Sequence, residues 1–253
     1  MTKKNPNLIT VPLEFKVACT IYHITIQEAL QIFIYYCTLY NALNSRYNQY
    51  FDEANETFFR YLDTKRPGTK VILREEDEVQ QCILAIVEEA ADCGYDFVLG
   101  RRRSTKYVNR LFKLLGRKFY PGSRTLYLDE ETPLQLSKDF CVICELYGCH
   151  PAEFLEHYMN MISIADAETR LDMNLQNHNC SMHFFMDTTN IFLDDHQERF
   201  TITPQESDFL QQAGELRLYL YTIRNFPQRK ALLQKFYQEY YQSNNQKQFN
   251  YAN

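Results

Sequence analysis

Apolar positions recur along most of this chain at helical spacing, three and four residues apart, and the strict alternation of a half-buried strand is rare. In "PLEFKVACTIYHITIQEALQIFIYY" (residues 12–36) two apolar runs are divided by a short polar break. Thr25 and Glu28 after the break have the N-cap and N3 spacing of a capping box, so helix, tight turn, helix is predicted. "PLQLSKDFCVICELYGCHPAEFLEHYMNMIS" (residues 133–163) reads the same way, with Pro151 at a first helical position and Glu153 at N3. Further helices are predicted in "REEDEVQQCILAIVEEA", "STKYVNRLFKLLGRK", "PQESDFLQQAGELRLYLYTI" and "PQRKALLQKFYQEYY", the third opened by Thr203, Pro204 and Glu206. Strand-like character is confined to "LITV" at 8–11 and "TLYL" at 125–128.

Laying residues 14–39 over 139–164 without a gap matches six positions, Phe15 with Phe140, Val17 with Val142, Cys19 with Cys144, Tyr22 with Tyr147, Glu28 with Glu153 and Leu30 with Leu155. Beyond this the order continues: a doubled Phe, an acid-started helix and a closing basic helix follow in each half. The expectation is an all-α protein of eight to ten helices in two similar lobes from a tandem duplication, 1–125 and 126–253, with at most short β-strands. Composition agrees, because 7 Gly and 8 Pro in 253 residues are few for a protein of many short strands. The 19 Tyr and 18 Phe, with no Trp, reflect either genome composition or cores filled with rings.

A net charge of -5 argues against indiscriminate coating of nucleic acid and directs attention to local patches. No apolar run suits a signal peptide or a membrane span, so a soluble cytoplasmic protein with no membrane association is expected, its eight cysteines mostly reduced thiols. HExxH, GxxxxGK[ST], GxGxxG and GxSxG are all missing, and the expectation is of no enzyme, no catalytic residue and no cofactor. Cys141 and Cys144, at i and i+3, could share a zinc ion with Cys180 and His178 or His183. Cys19 matches Cys144 without a neighbouring cysteine, so buried thiols are the preferred reading and no metal is expected. Glu75, Glu76, Asp77 and Glu78 read as favourable charges at a helix start. Asp187, Asp194, Asp195 and His196 read as a polar loop rather than a hydrolytic site.

The sharpest local feature is "GRRRSTKYVNRLFKLLGRKFYPGSR" (residues 100–124), with Arg101, Arg102, Arg103, Lys106, Arg110, Lys113, Arg117, Lys118 and Arg124 and no acid. With Ser104 as cap, Lys106, Arg110, Lys113 and Arg117 fall on one helical face, while Val108, Leu111, Phe112 and Leu115 supply an apolar face. Three arginines just before a helix start would oppose its dipole, so a partner is needed. Two partners are open: a phosphate backbone near Tyr107, or the eight acids 75, 76, 77, 78, 88, 89, 92 and 96 across an antiparallel hairpin.

The strand-like segments followed by paired helices resemble ribbon-helix-helix DNA-binding modules, with a helix-turn-helix likeness fitting less well because 26–39 and 151–164 contain no Lys or Arg. The resemblance implies a two-stranded ribbon reading the major groove, with Lys3, Lys4, Asn5, Asn7, Thr10, Arg124 and Tyr127 near it. The resulting expectation is a non-enzymatic, DNA-associated regulatory or accessory protein contacting phosphates of double-stranded DNA through its basic helix. The alternative is a helical scaffold for a protein partner, its basic helix neutralised internally; the sequence is silent on small-molecule ligands.

Overall fold

A computed structural model describes residues 7–44, 52–65, 76–94, 96–116, 124–129, 131–176, 178–194 and 202–251. Its elements are α1 (Leu13–Ile21), α2 (Ile26–Tyr36), α3 (Leu39–Leu43), α4 (Glu53–Lys65), α5 (Asp77–Cys93), α6 (Phe97–Leu114), β1 (Thr125–Tyr127), β2 (Pro133–Gln135), α7 (Lys138–Tyr147), α8 (Pro151–Met161), α9 (Ile164–Asp172), α10 (Cys180–Asp194), α11 (Pro204–Thr222) and α12 (Phe226–Tyr251). The protein is all-α with one small sheet. The short helices α3 and α9 carry the number past the eight to ten expected; each is nucleated by a side-chain cap too local for an apolar period to reveal. Among the described residues no single helix is long and apolar enough to cross a membrane, and the apolar pair α1 and α2 is bent by 96°.

Helix limits follow local chemistry. Thr25 and Glu28 form the predicted box, with Glu28 N donating to Thr25 Oγ1 at 3.1 Å and Thr25 N to Glu28 Oε2 at 3.0 Å. The corresponding box at Thr203 and Glu206 opens α11. α1 and α7 each end on a left-handed residue, His23 at φ 50° and Gly148 at φ 65°. In each turn a backbone N–H closes onto the helix at 3.0 Å, Ile24 to Cys19 O and Cys149 to Cys144 O. The next helix start is again alike: Thr38 caps α3 by accepting from Asn41 N, and Ser163 caps α9 by accepting from Asp166 N.

The strand expected at 125–128 is β1, and it pairs antiparallel with β2, the segment directly before α7, Leu126 facing Leu134. β1 also meets Leu8 in a parallel bridge, with Ile9 N donating to Tyr127 O at 2.8 Å. Segment 8–11 forms no named strand, and through Leu8 and Ile9 it meets β1, the other segment read as strand-like.

Two compact units are formed by interleaved segments: Met1–Thr10 with Leu30–Tyr158, and Val11–Ala29 with Met159–Asn253. The boundary expected near 125 thus falls inside the first unit. This unit holds α3 to α6 together with α7; the second holds α9 to α12 together with α1. In the first core Phe33 stacks on Tyr158 with centroids 3.8 Å apart, and Phe154 meets Phe33, Phe58 and Phe140 at 5.5, 5.0 and 5.9 Å. In the second, Phe185 meets Phe15 and Tyr22 at 5.8 and 5.6 Å, and Phe209 stacks on Phe236 and Tyr240 at 4.8 and 3.8 Å. Such pairs contribute about 0.5–1.5 kcal/mol each beyond the area they bury. The rings therefore fill both cores.

Candidate nucleic-acid interface

Residues 100–114 of the basic segment lie in α6, which starts seven residues earlier than Ser104. Asp96 is the cap, its Oδ1 accepting from Leu99 N at 2.8 Å, and Ser104 is buried on the inner face with Phe97, Gly100, Val108, Leu111 and Phe112. Arg101, Arg102 and Arg103 consequently sit in the second turn. The dipole penalty expected before a helix start fades beyond the first turn and does not apply to them.

The cations of this segment have different surroundings. Arg101 is half-buried, with its guanidinium 3.9 Å from the Tyr35 ring centroid and its charge opposing the desolvation that raises the pKa of buried Asp139. Lys106 Nζ lies 3.1 Å from Glu89 Oε1, and Arg110 Nη2 lies 2.5 Å from Glu78 Oε1. Arg124 Nη1 donates to Leu136 O at 2.8 Å and ties the sheet to the start of α7. Arg102, Arg103 and Lys113 are exposed and form no ion pair among the described residues. Arg117 and Lys118 lie outside those residues, as do Lys3, Lys4, Asn5, Glu75, Asp195 and His196.

The α5–α6 hairpin from Asp77 to Leu114 carries six acids, Asp77, Glu78, Glu88, Glu89, Asp92 and Asp96, against six bases. Its charge is balanced, although the exposed pairs themselves contribute only about 0–1 kcal/mol each. Near the small sheet, Asn7 O accepts from Tyr127 N at 2.8 Å and Thr10 N donates to Glu156 Oε1 at 2.7 Å. These two backbone groups are therefore already engaged.

The cysteines read as core. Cys141, Cys144 and Cys180 are buried whereas His178 and His183 are exposed, and no group of three or more His, Cys, Asp or Glu among the described residues could hold a metal ion. Burial pushes the Cys19 and Cys141 thiols up to about 12 and Cys144 well above its usual range, which suppresses thiolate chemistry. Asp187 and Asp194 lie within α10 rather than in a polar loop, and Asp187 is exposed.

Two features escaped the sequence reading. Acids occur at matching places, Asp139 buried on α7 facing the start of α3 and Glu14 half-buried on α1 facing the start of α9. The second feature is the α11–α12 corner, where Tyr219, Tyr221 and Phe226 are 58%, 54% and 71% exposed. Residues 216–230 contain Arg217, Arg224, Arg229 and Lys230 and no acid, a signal available from composition alone. The chain matches no protein-family model, and comparison with curated proteins and with solved structures finds no match.

Proposed function

We propose that this protein is a non-enzymatic helical scaffold that binds other proteins, built by tandem duplication of a six-helix unit. The observation that carries the scaffold reading is the hairpin of α5 and α6. It balances its own charge and yet presents Leu84 at 61% and Val98 at 67% exposure, large apolar side chains that a purely electrostatic surface does not need. The duplication is supported by α2 and α8, each of 11 residues and 125 positions apart at both ends, and by the shared turn and cap geometry around them.

The test is photo-crosslinking in the native cell, with a benzophenone amino acid at position 84 or 98 and at exposed Gln81 as control. Discrete protein adducts at 84 or 98 that are weak at 81, and that reform with the purified partner in a saturable way, are expected. Adducts to nucleic acid alone, or none, overturn the reading.

A second reading, DNA association, is favoured by Arg102, Arg103 and Lys113, three exposed cations on one helix that form no ion pair among the described residues. Fluorescence anisotropy of a labelled duplex at several salt concentrations tests it, with Arg102→Ala, Arg103→Ala and Lys113→Ala combined in one variant. Micromolar binding that weakens steeply with salt and disappears in the variant selects this reading over the scaffold.

A further inference from the structure

The α11–α12 corner of the second unit is a rigid basic aromatic surface. Its connection, residues 223–225, is held by Asn225, which accepts from Gln228 N at 3.1 Å, and by Arg229, whose Nε donates to Ile223 O. Thr222 Oγ1 donates to Tyr219 O at 2.7 Å and finishes the last turn of α11. The ring of Tyr221 is kept in place by Arg217 at 5.2 Å from its centroid and by a 3.4 Å hydrogen bond from its hydroxyl to Asp166 Oδ1. A surface fixed before binding loses little conformational entropy when a partner arrives.

Its charge is not balanced. Asp166 is shared between Arg170 at 2.8 Å and Arg217 at 3.5 Å, leaving positive charge in excess even there. Arg224 and Lys230 are exposed and form no ion pair among the described residues. Exposed aromatic rings beside arginine are the composition of interface hot spots, and the surrounding charge selects the sign of the partner.

We propose that this corner binds an acidic peptide segment of a partner protein, with apolar side chains seated on Tyr219 and Phe226 and carboxylates facing Arg224 and Lys230. The proposal rests on the scaffold reading and gives it a partner class. Charge complementarity and exposed rings beside a hydrogen-bonded helix corner fit a short acidic segment with aromatic or leucine anchors.

The experiment is selection from a displayed random-peptide library on the full-length protein. Affinities of the selected peptides are then measured on wild type, on Tyr219→Ala/Phe226→Ala, on Arg224→Glu/Lys230→Glu and, as control, on Gln81→Ala, with a labelled single-stranded oligothymidine titrated in parallel. The changed residues are exposed, and circular dichroism checks that each variant keeps its helices. Enrichment of Asp and Glu around Phe, Tyr or Leu is expected, with at least tenfold weaker binding by both corner variants and unchanged binding by Gln81→Ala. No enriched peptide, peptides without acidic bias, or peptides that both corner variants bind as wild type does overturn the corner proposal and leave the scaffold reading standing. Oligothymidine binding that the corner variants lose, with no peptide enriched, overturns both.

Discussion

Asp139 Oδ1 accepts a hydrogen bond from Leu39 N at 3.0 Å, so a carboxylate from α7 caps the first turn of α3, 100 residues earlier in the chain. Glu14 from α1 does the equivalent for α9, accepting from the Ser163 hydroxyl at 2.7 Å and the Tyr237 hydroxyl at 2.6 Å. In both units a helix start that would otherwise leave donors buried is satisfied by the first helix of the other half. This exchange gives the interleaved segments a physical reason to stay together.

Desolvation dominates at Asp139 and raises its pKa from the ordinary 3.8 to about 6, against the opposing influences of Arg101 and of the Tyr40 and Leu39 backbone groups. The folded chain therefore holds this proton more tightly than the unfolded chain. Its contribution to stability is fully present below about pH 3.8 and is lost as pH rises to about 6. A shift of about two units corresponds to on the order of 3 kcal/mol. In Asp139→Asn, which keeps an acceptor for Leu39 N, that part of the pH dependence should vanish. Urea unfolding of both proteins at pH 4 and pH 7 measures it; an unchanged difference between the two pH values would mean that Asp139 stays ionised in the fold.

Burial raises the Glu14 pKa, while hydrogen bonds from Tyr237 and Ser163 and the charge of Arg217 oppose the rise. Tyr237→Phe removes one donor to a half-buried carboxylate. At pH 7 the variant should be less stable by about 1.5–3 kcal/mol, the range for a hydrogen bond to a charged group. Thermal unfolding followed by circular dichroism decides it, and equal melting temperatures would show that the hydroxyl contributes nothing.

Helix existence was legible where chemistry is local: the capping boxes at Thr25 and Thr203 and Pro151 at the start of α8 are realised as read. The start of α6 was not, because Gly100 and three arginines look like a loop, and only the packing of Tyr40 explains a glycine in that helix. Glu14 and Asp139 carry nothing in sequence to separate them from solvent carboxylates; their surroundings come from helices distant in the chain, α3 and α6 for Asp139 and α9 and α12 for Glu14. At the corner, Tyr219 and Tyr221 fit the apolar content of α11, and the packing of α9 on α11 decides which positions stay outside.

The turns after α1 and α7 should respond oppositely to glycine. Gly148→Ala forces a β-carbon into a left-handed conformation and should cost about 1 kcal/mol, whereas His23→Gly relieves the same strain at φ 50°. The relief is offset by loss of the 3.1 Å contact between His23 Nε2 and Glu206 Oε1, which is exposed on the histidine side and adds little. Chemical denaturation of both variants checks the pair, and equal destabilisation would mean that the two turns are held differently.

Gly100 offers the sharpest packing test. A β-carbon there would run into Tyr40 Oη and stand 3.3 Å from Cys93 Cβ, and Tyr40 is 1% exposed, so the ring has little room to retreat. An alanine in a helix interior ordinarily gains about 1 kcal/mol over glycine, whereas overpacking a tight core costs about 1–3 kcal/mol. The clash should win, and Gly100→Ala should destabilise. Tyr40→Phe deletes the offending oxygen, so the double variant should recover most of the loss, giving a coupling of about 1–2 kcal/mol in a double-mutant cycle. Additive effects of the two changes would place the cost elsewhere, on Cys93 or on the α5–α6 spacing.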